Sequence, residues 1–199
     1  MRNMLAAALV IVVSAMPAVV QAQSFELGVK GGVVFATLTG GPEEFSEGTY
    51  ERFSYDASIA LGGAFAFRIG DRVAFQPEVL FVQKTYELHL RGGQWDDPLP
   101  LNIDGRVRQN YLELPMLLRV AMGAGGIQAL AGPSVNVSLD CWDCGPAVDV
   151  GIAIGAGFYG ETFTMEGRYE EGLREIYRLL GGESHRNRAI LVLFGVRRR

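Results

Sequence analysis

The chain has 199 residues, a formal net charge of −4 and 20% charged residues. That length suits a single domain, and so small an acidic balance gives no sign of a nucleic-acid partner. Twenty-six glycines and abundant β-branched residues among few charges point to an all-β chain rather than a helical one.

The first residues read as an export signal. Arg2 supplies the positive charge, Leu5 to Val13 form an uncharged apolar run, and Val20-Gln21-Ala22 places small residues before a cleavage site after Ala22. Residues 1–22 are therefore expected to be removed, leaving 23–199 as one domain. As an anchor helix, Met4 to Val20 barely reaches across a bilayer and meets Pro17 near its end. No later stretch is apolar enough for a membrane helix, so an integral protein of this sequence must be a closed barrel.

The mature chain alternates strand-like runs with connections of two kinds. Phe25 to Leu38 is the first expected strand, followed by a long polar loop, Thr39 to Asp56. Ser58 to Ile69 and Arg72 to Leu88 flank a tight turn at Gly70-Asp71. A second long loop, His89 to Arg106, leads to Val107–Ala121, and Gly123 to Gly126 make a short turn. Ile127 to Ser138 is the fifth strand, and a third loop holds Cys141 and Cys144. Val148 to Phe158 and Thr162 to Tyr169 flank a short turn at Tyr159 to Glu161. The fourth loop runs to Arg186, and Asn187 to Arg197 is the last strand. Long and short connections alternate, so all long loops fall at one end. The expected fold is an all-β, eight-stranded, antiparallel up-and-down transmembrane barrel.

Alternation within the strands assigns faces. Leu112, Leu114, Met116, Leu118 and Val120 share one side, opposite Tyr111, Glu113, Pro115, Leu117 and Arg119. A soluble barrel that binds an apolar ligand has the same pattern inverted. Small residues such as Ala60, Gly62, Ala64, Gly151, Ala153 and Gly155 interleave the polar face, which favours placing that face inside. Tyr86, Tyr111, Phe158 and Tyr169 lie near strand ends, where an interfacial girdle is expected. An Arg or Lys facing lipid at mid-membrane costs about 2–4 kcal/mol. The inward charges are then Glu26, Lys30, Arg68, Glu78, Lys84, Glu113, Arg119, Asp149, Glu166 and Arg168, five of each sign. In a lumen only wide enough for side chains they read as a paired plug, with Glu113/Arg119 and Glu166/Arg168 as the first candidate pairs. A proton or ion path through them is the functional alternative.

Other motifs carry less chemistry. Cys141-Trp142-Asp143-Cys144 has C-x-x-C spacing on a loop, away from the helix start that lowers a redox thiol's pKa. Zinc needs two further ligands, and the chain offers only His89 and His185. A local disulfide on an oxidising surface is the expectation, with no metal and no cofactor. Ser184-His185 sets a nucleophile beside a base on the last loop, but adjacent residues seldom face one another productively, so no catalytic residue is assigned. Gly31-Gly32 and Gly62-Gly63 match no complete phosphate loop and read as tight strand positions. Glu170 to Leu180 has Leu173, Ile176, Leu179 and Leu180 at helical spacing, suggesting a short rim helix. Arg197-Arg198-Arg199 reads as a solvated tail or a contact with anionic membrane components.

The chain resembles the PorT-like outer-membrane β-barrel proteins of Gram-negative bacteria. The matching pieces, in family order, are Gly28-Val29-Lys30-Gly31-Gly32-Val33, Phe75-Gln76-Pro77-Glu78-Val79-Leu80-Phe81 with Gln83-Lys84, Tyr111-Leu112-Glu113-Leu114-Pro115-Met116-Leu117-Leu118, Ala131-Gly132-Pro133, and Glu166-Gly167-Arg168-Tyr169 with Gly172-Leu173. The resemblance implies an eight-stranded barrel in the cell outer membrane without established catalytic residues. The named member is linked to secretion across that membrane. The expectation is a non-enzymatic, monomeric barrel surrounded by outer-membrane lipid. It shows its loops in a structural, adhesive or secretion-accessory role, with a surface or secretion-complex protein as partner. The rivals are a soluble periplasmic barrel for a small apolar ligand, a narrow channel, and a lipid-modifying enzyme.

Overall fold

A computed structural model of the chain describes residues 25–39, 43–46, 49–92, 101–140, 148–174, 177–178 and 184–198. The strands are β1 (Phe25–Thr39), β2 (Glu43–Ser46), β3 (Thr49–Ile69), β4 (Val73–Gly92), β5 (Leu101–Ala121), β6 (Ile127–Ser138), β7 (Val148–Tyr159), β8 (Phe163–Gly172), β9 (Tyr177–Arg178) and β10 (Ser184–Arg198). Each long strand pairs antiparallel with its neighbours, and β1 pairs with both β10 and β3. That double pairing closes an eight-stranded antiparallel barrel in the order β1, β3, β4, β5, β6, β7, β8, β10. The short β2 and β9 only extend β3 and β10. The expected signal segment, 1–22, lies outside the described residues.

Three tight connections join β3 to β4, β5 to β6 and β7 to β8. Gly70 turns the first with φ 72°, a left-handed conformation that costs glycine nothing. The start of β1 and the end of β10 lie at this same end, because Leu27 pairs with Arg198. All four long connections lie at the other end.

The period of two sorts the wall. Leu61, Ile154 and Phe194 point outward, 64%, 57% and 57% exposed, as do Val29, Phe65, Leu118 and Met165. The inward positions of the same strands are buried, including Lys30, Glu78, Arg119, Glu166 and Arg168. The apolar face is therefore outside, the arrangement of a wall that meets lipid. Inside, Val34, Ala36, Ala60, Leu80, Val82, Ala189, Leu191 and Leu193 form an apolar lining on the β10–β1–β3–β4 side. Glycines let the backbones of neighbouring strands approach. A Cβ at Gly32 would lie 1.9 Å from the Val192 carbonyl oxygen, and one at Gly155 would lie 2.1 Å from that of Gly167.

The wall is lopsided. β3 and β5 have 21 residues and β4 has 20, against 12, 12 and 10 for β6, β7 and β8. β6 begins pairing with β5 at Tyr111, whereas β4 and β5 stay paired out to Gly92 and Leu101. The surplus of about ten residues carries this sheet roughly 30 Å past the β6 rim. The expected loops Thr39–Asp56 and His89–Arg106 are thus largely strand. Charged residues alternate with the apolar ones there, as in Glu87, His89 and Arg91 between Tyr86, Leu88 and Leu90, and the pairing persists. Cross-strand ion pairs and a hydrogen bond hold it: Arg106 Nη2 lies 2.9 Å from Glu87 Oε1, Arg106 Nε lies 3.3 Å from Asp56 Oδ2, and the His89 ring Nδ1 hydrogen-bonds Asp104 Oδ1 at 2.7 Å. The Glu87 hydrogen bond and the Asp56 charge hold the Arg106 guanidinium above its ordinary pKa. A one-residue shift between Tyr55 and Ala60 in the β3–β4 ladder marks where barrel becomes extension.

The expected rim helix is absent from the described residues of its stretch. Glu170, Glu171 and Gly172 finish β8, and Tyr177–Arg178 form β9. Pairing of β8 with β7 and β10 satisfies this backbone as sheet, and a few apolar residues at helical spacing do not outweigh it.

Candidate functional site

The polar groups of the barrel converge in its lumen, in three tiers from the short-turn end to the long-loop end. In the first, Glu26 of β1 accepts from three arginines. Arg197 Nη1 lies at 2.6 Å, Arg68 Nε at 2.8 Å and Arg119 Nη2 at 3.2 Å. Arg197 also donates from Nε to the Gly160 carbonyl at 2.9 Å, and the Arg119 guanidinium lies 4.3 Å from the centre of the Tyr159 ring. β1, β3, β5 and β10 each contribute one charge, so this tier ties the two chain ends to the opposite wall.

The middle tier is a four-member square. Lys30 Nζ lies 2.7 Å from Glu78 Oε1 and also contacts Glu166. Arg168 donates to Glu78 at 2.6 and 2.7 Å and to Glu166 Oε2 from Nε at 2.9 Å. Tyr159 donates its hydroxyl to Glu166 at 2.7 Å, and Gln76 donates to Glu78. Every charge here has an opposite neighbour and further hydrogen bonds, the condition under which buried ion pairs are tolerated. A cavity of about 20 Å³ beside it is lined by Glu26, Lys30, Gln76, Arg119 and Tyr159 among others, enough for a water but not a solute.

The upper tier is different. Lys84 Nζ lies 2.7 Å from Glu113 Oε1 and 5.1 Å from the Tyr111 ring centre. Asn187 Nδ2 reaches Asp149 Oδ2 at 3.4 Å, and Tyr86 donates to Asn187. Glu170 of β8 joins this tier, fully buried beside Glu113 and Lys84. One lysine thus faces three carboxyl groups, while the first tier sets three arginines around one carboxylate. Charges that balance over the whole lumen are separated along its axis.

All ten expected lumen charges, Glu26, Lys30, Arg68, Glu78, Lys84, Glu113, Arg119, Asp149, Glu166 and Arg168, lie on the inner wall; Arg68 is the partly exposed one, at the short-turn rim. Of the two candidate pairs, Glu166/Arg168 meets, because residues two apart share a face. Glu113/Arg119 does not meet. Six residues on one strand separate them by about 20 Å, so Glu113 pairs with Lys84 and Arg119 with Glu26.

Two further lumen charges escaped the sequence reading. Arg197 is not a solvated tail: continuing the β10 parity from Asn187 through Leu191 and Leu193 places it inside, where it is 8% exposed. Glu170 was assigned to a loop although it continues the parity of Glu166 and Arg168. The same parity corrects two girdle residues. Tyr86 and Tyr111 are 1% and 4% exposed and point into the lumen, while Phe158 remains outside.

Cys141 and Cys144 lie outside the described residues. Ser184 and His185 pair in backbone register with Arg178 and Tyr177. Among the described residues, no group of three His, Cys, Asp or Glu side chains is placed to hold a metal ion.

Comparison with solved structures finds similar backbones. Ail, the attachment invasion locus protein of Yersinia pestis, in complex with the heparin analogue sucrose octasulfate, is 11% identical with a TM-score of 0.49, over 88% of this chain and 100% of that one. Neisserial surface protein A is 9% identical with a TM-score of 0.45, over 86% and 96% of the two chains. The outer membrane protein OprG from Pseudomonas aeruginosa is 12% identical with a TM-score of 0.44, over 88% and 97%. No curated protein matches the sequence. A family model does: the outer membrane protein beta-barrel domain matches residues 21–140, more than half of the chain. With a closed barrel, an apolar outer wall and a charged lumen already in place, the protein belongs to the outer membrane protein beta-barrel domain family.

Proposed function

We propose that this protein is exported by its N-terminal signal, sits in the cell outer membrane as a monomer surrounded by lipid, and works as a rigid, non-enzymatic mount. The barrel holds the protruding β3–β4–β5 sheet and its connecting loops at the surface for an adhesive or secretion-accessory contact with another protein. The observation that carries this reading is the β4–β5 ladder. It keeps one register from Val73↔Val120 to Gly92↔Leu101, far past the point where β6 stops. A barrel whose only task is to span lipid has no need of that length.

The packed lumen supports a closed barrel rather than a narrow channel. Arg119, Tyr86, Lys84, Leu117, Leu130, Gln76, Glu113 and Glu166 fill it, each essentially inaccessible. The outward Leu61, Ile154 and Phe194 argue against a soluble periplasmic carrier, because such a barrel hides its apolar face.

The test is heat-modifiable migration on a detergent gel together with bilayer recording. Protein from the outer-membrane fraction should shift on boiling and show no steady conductance. Replacing His89–Asp104 with a short turn should keep the shift and abolish surface binding of the partner. Stable large openings, or a soluble protein without a shift, would overturn the reading.

A further inference from the structure

Glu170 is 4% exposed, and neither of its carboxyl oxygens has a hydrogen-bond donor; Glu113 is fully buried and its Oε2 also lacks one. The two side chains come within hydrogen-bonding reach of each other across the upper lumen, and Lys84 is the cation that serves both. Asp149, with Oδ1 unpartnered, adds a third carboxyl group to the tier. Two facing carboxylates with no donor between them, in a site closed to water, leave both charge and hydrogen bonding unsatisfied. One hydrogen placed between them removes one negative charge and supplies the missing donor, as in carboxyl pairs that share a proton.

We propose that Glu113 and Glu170 form a proton-binding site at the long-loop end of the lumen, holding one proton between them while Lys84 balances the remaining charge. Ile152 and Ile154, on either side of the Ala153 that pairs with Glu170, point outward, as do Ile190 and Phe35 on the neighbouring strands, so the pair lies inside the apolar belt. The groups facing it are Lys84 and Tyr86 from β4, Tyr111 from β5, Asp149 from β7 and Arg168 from β8. Asn187 from β10, Asn136 from β6 and the uncharged Val34, Ala36, Ser58 and Ala60 from β1 and β3 complete the surround. Without that proton, two carboxylates confront one lysine.

The experiment uses the full mature chain in phosphatidylcholine vesicles. Infrared spectra at neutral pH should show the carbonyl stretch of a protonated carboxyl group, lost in Glu170→Gln. The amide of Glu170→Gln donates to Glu113, so this variant should remain folded by heat-modifiable migration. Absence of the protonated-carboxyl stretch in the native protein overturns the proposal. So does its survival in both Glu170→Gln and Glu113→Gln, which would assign it to Asp149.

Discussion

Glu26 Oε2 accepts a hydrogen bond from Arg197 Nη1 at 2.6 Å, joining the second residue of β1 to the penultimate residue of β10. The residues are 171 apart in sequence, and the bond lies beside the seam at which the sheet closes on itself. Removing one partner of a buried pair costs about 3–5 kcal/mol, because the other charge is left uncompensated. Glu26→Ala strands Arg68, Arg119 and Arg197 together, whereas Arg197→Ala leaves Glu26 two arginines. Glu26→Ala should therefore be the more damaging of the two in urea unfolding from lipid vesicles. Equal losses would mean that the three arginines do not share the carboxylate.

Lys84 and Glu113 test whether a lumen pair is worth more than an apolar one. Lys84→Met alone should cost about 3–5 kcal/mol, leaving Glu113 without its cation. Lys84→Met with Glu113→Leu should recover most of that loss, since well-packed apolar residues often replace a buried pair without penalty. A double-mutant cycle in the same unfolding assay measures the recovery.

The outer wall makes a prediction of opposite kind. Leu61→Arg and Ile154→Arg place a guanidinium on the apolar belt and should each cost about 2–4 kcal/mol in lipid vesicles. Arg108, on the solvent-facing extension and exposed, should tolerate replacement by leucine within about 0.5 kcal/mol. If the belt substitutions are equally silent, lipid does not contact that face.

Glycine positions separate close approach from mere absence of a side chain. Gly32→Ala drives its methyl against the Val192 carbonyl, and the forced shift should cost about 1–3 kcal/mol. Gly167 has open space where a Cβ would go, so Gly167→Ala should be neutral or slightly stabilising. Thermal melting in detergent ranks the two.

Much of this was readable without coordinates, and the failures share a cause. Parity along a strand needs only one anchored residue: the alternation of Leu112 to Val120 against Glu113 to Arg119 placed both sets correctly. It failed where it was not continued. Arg197 was read with Arg198 and Arg199 as a tail, and Glu170 as loop, although each lies on the inner face of a strand already assigned. Which acid meets which base is a different matter. Glu26 meets arginines from β3, β5 and β10 only once the barrel closes, and closure depends on the stagger between strands, which no local pattern encodes. The extended β3–β4–β5 sheet was lost for a third reason: Tyr86, Leu88 and Leu90 do alternate with Glu87, His89 and Arg91, but the Gly, Pro and Asp residues of 92–98 beside them read as loop.

That sheet also decides how the molecule responds to being pulled. β4 and β5 are hydrogen-bonded in one unbroken register from the tip at Gly92 and Leu101 to the turn end at Val73 and Val120. A tug on the tip along the strands is carried in shear, shared by many bonds at once, and passes into the lipid-embedded wall. Prying the outer edge of β5 sideways would instead open bonds one after another. The same ladder should then withstand a load along its strands and yield to a far smaller lateral peel, a direction-dependent strength set by strand geometry alone.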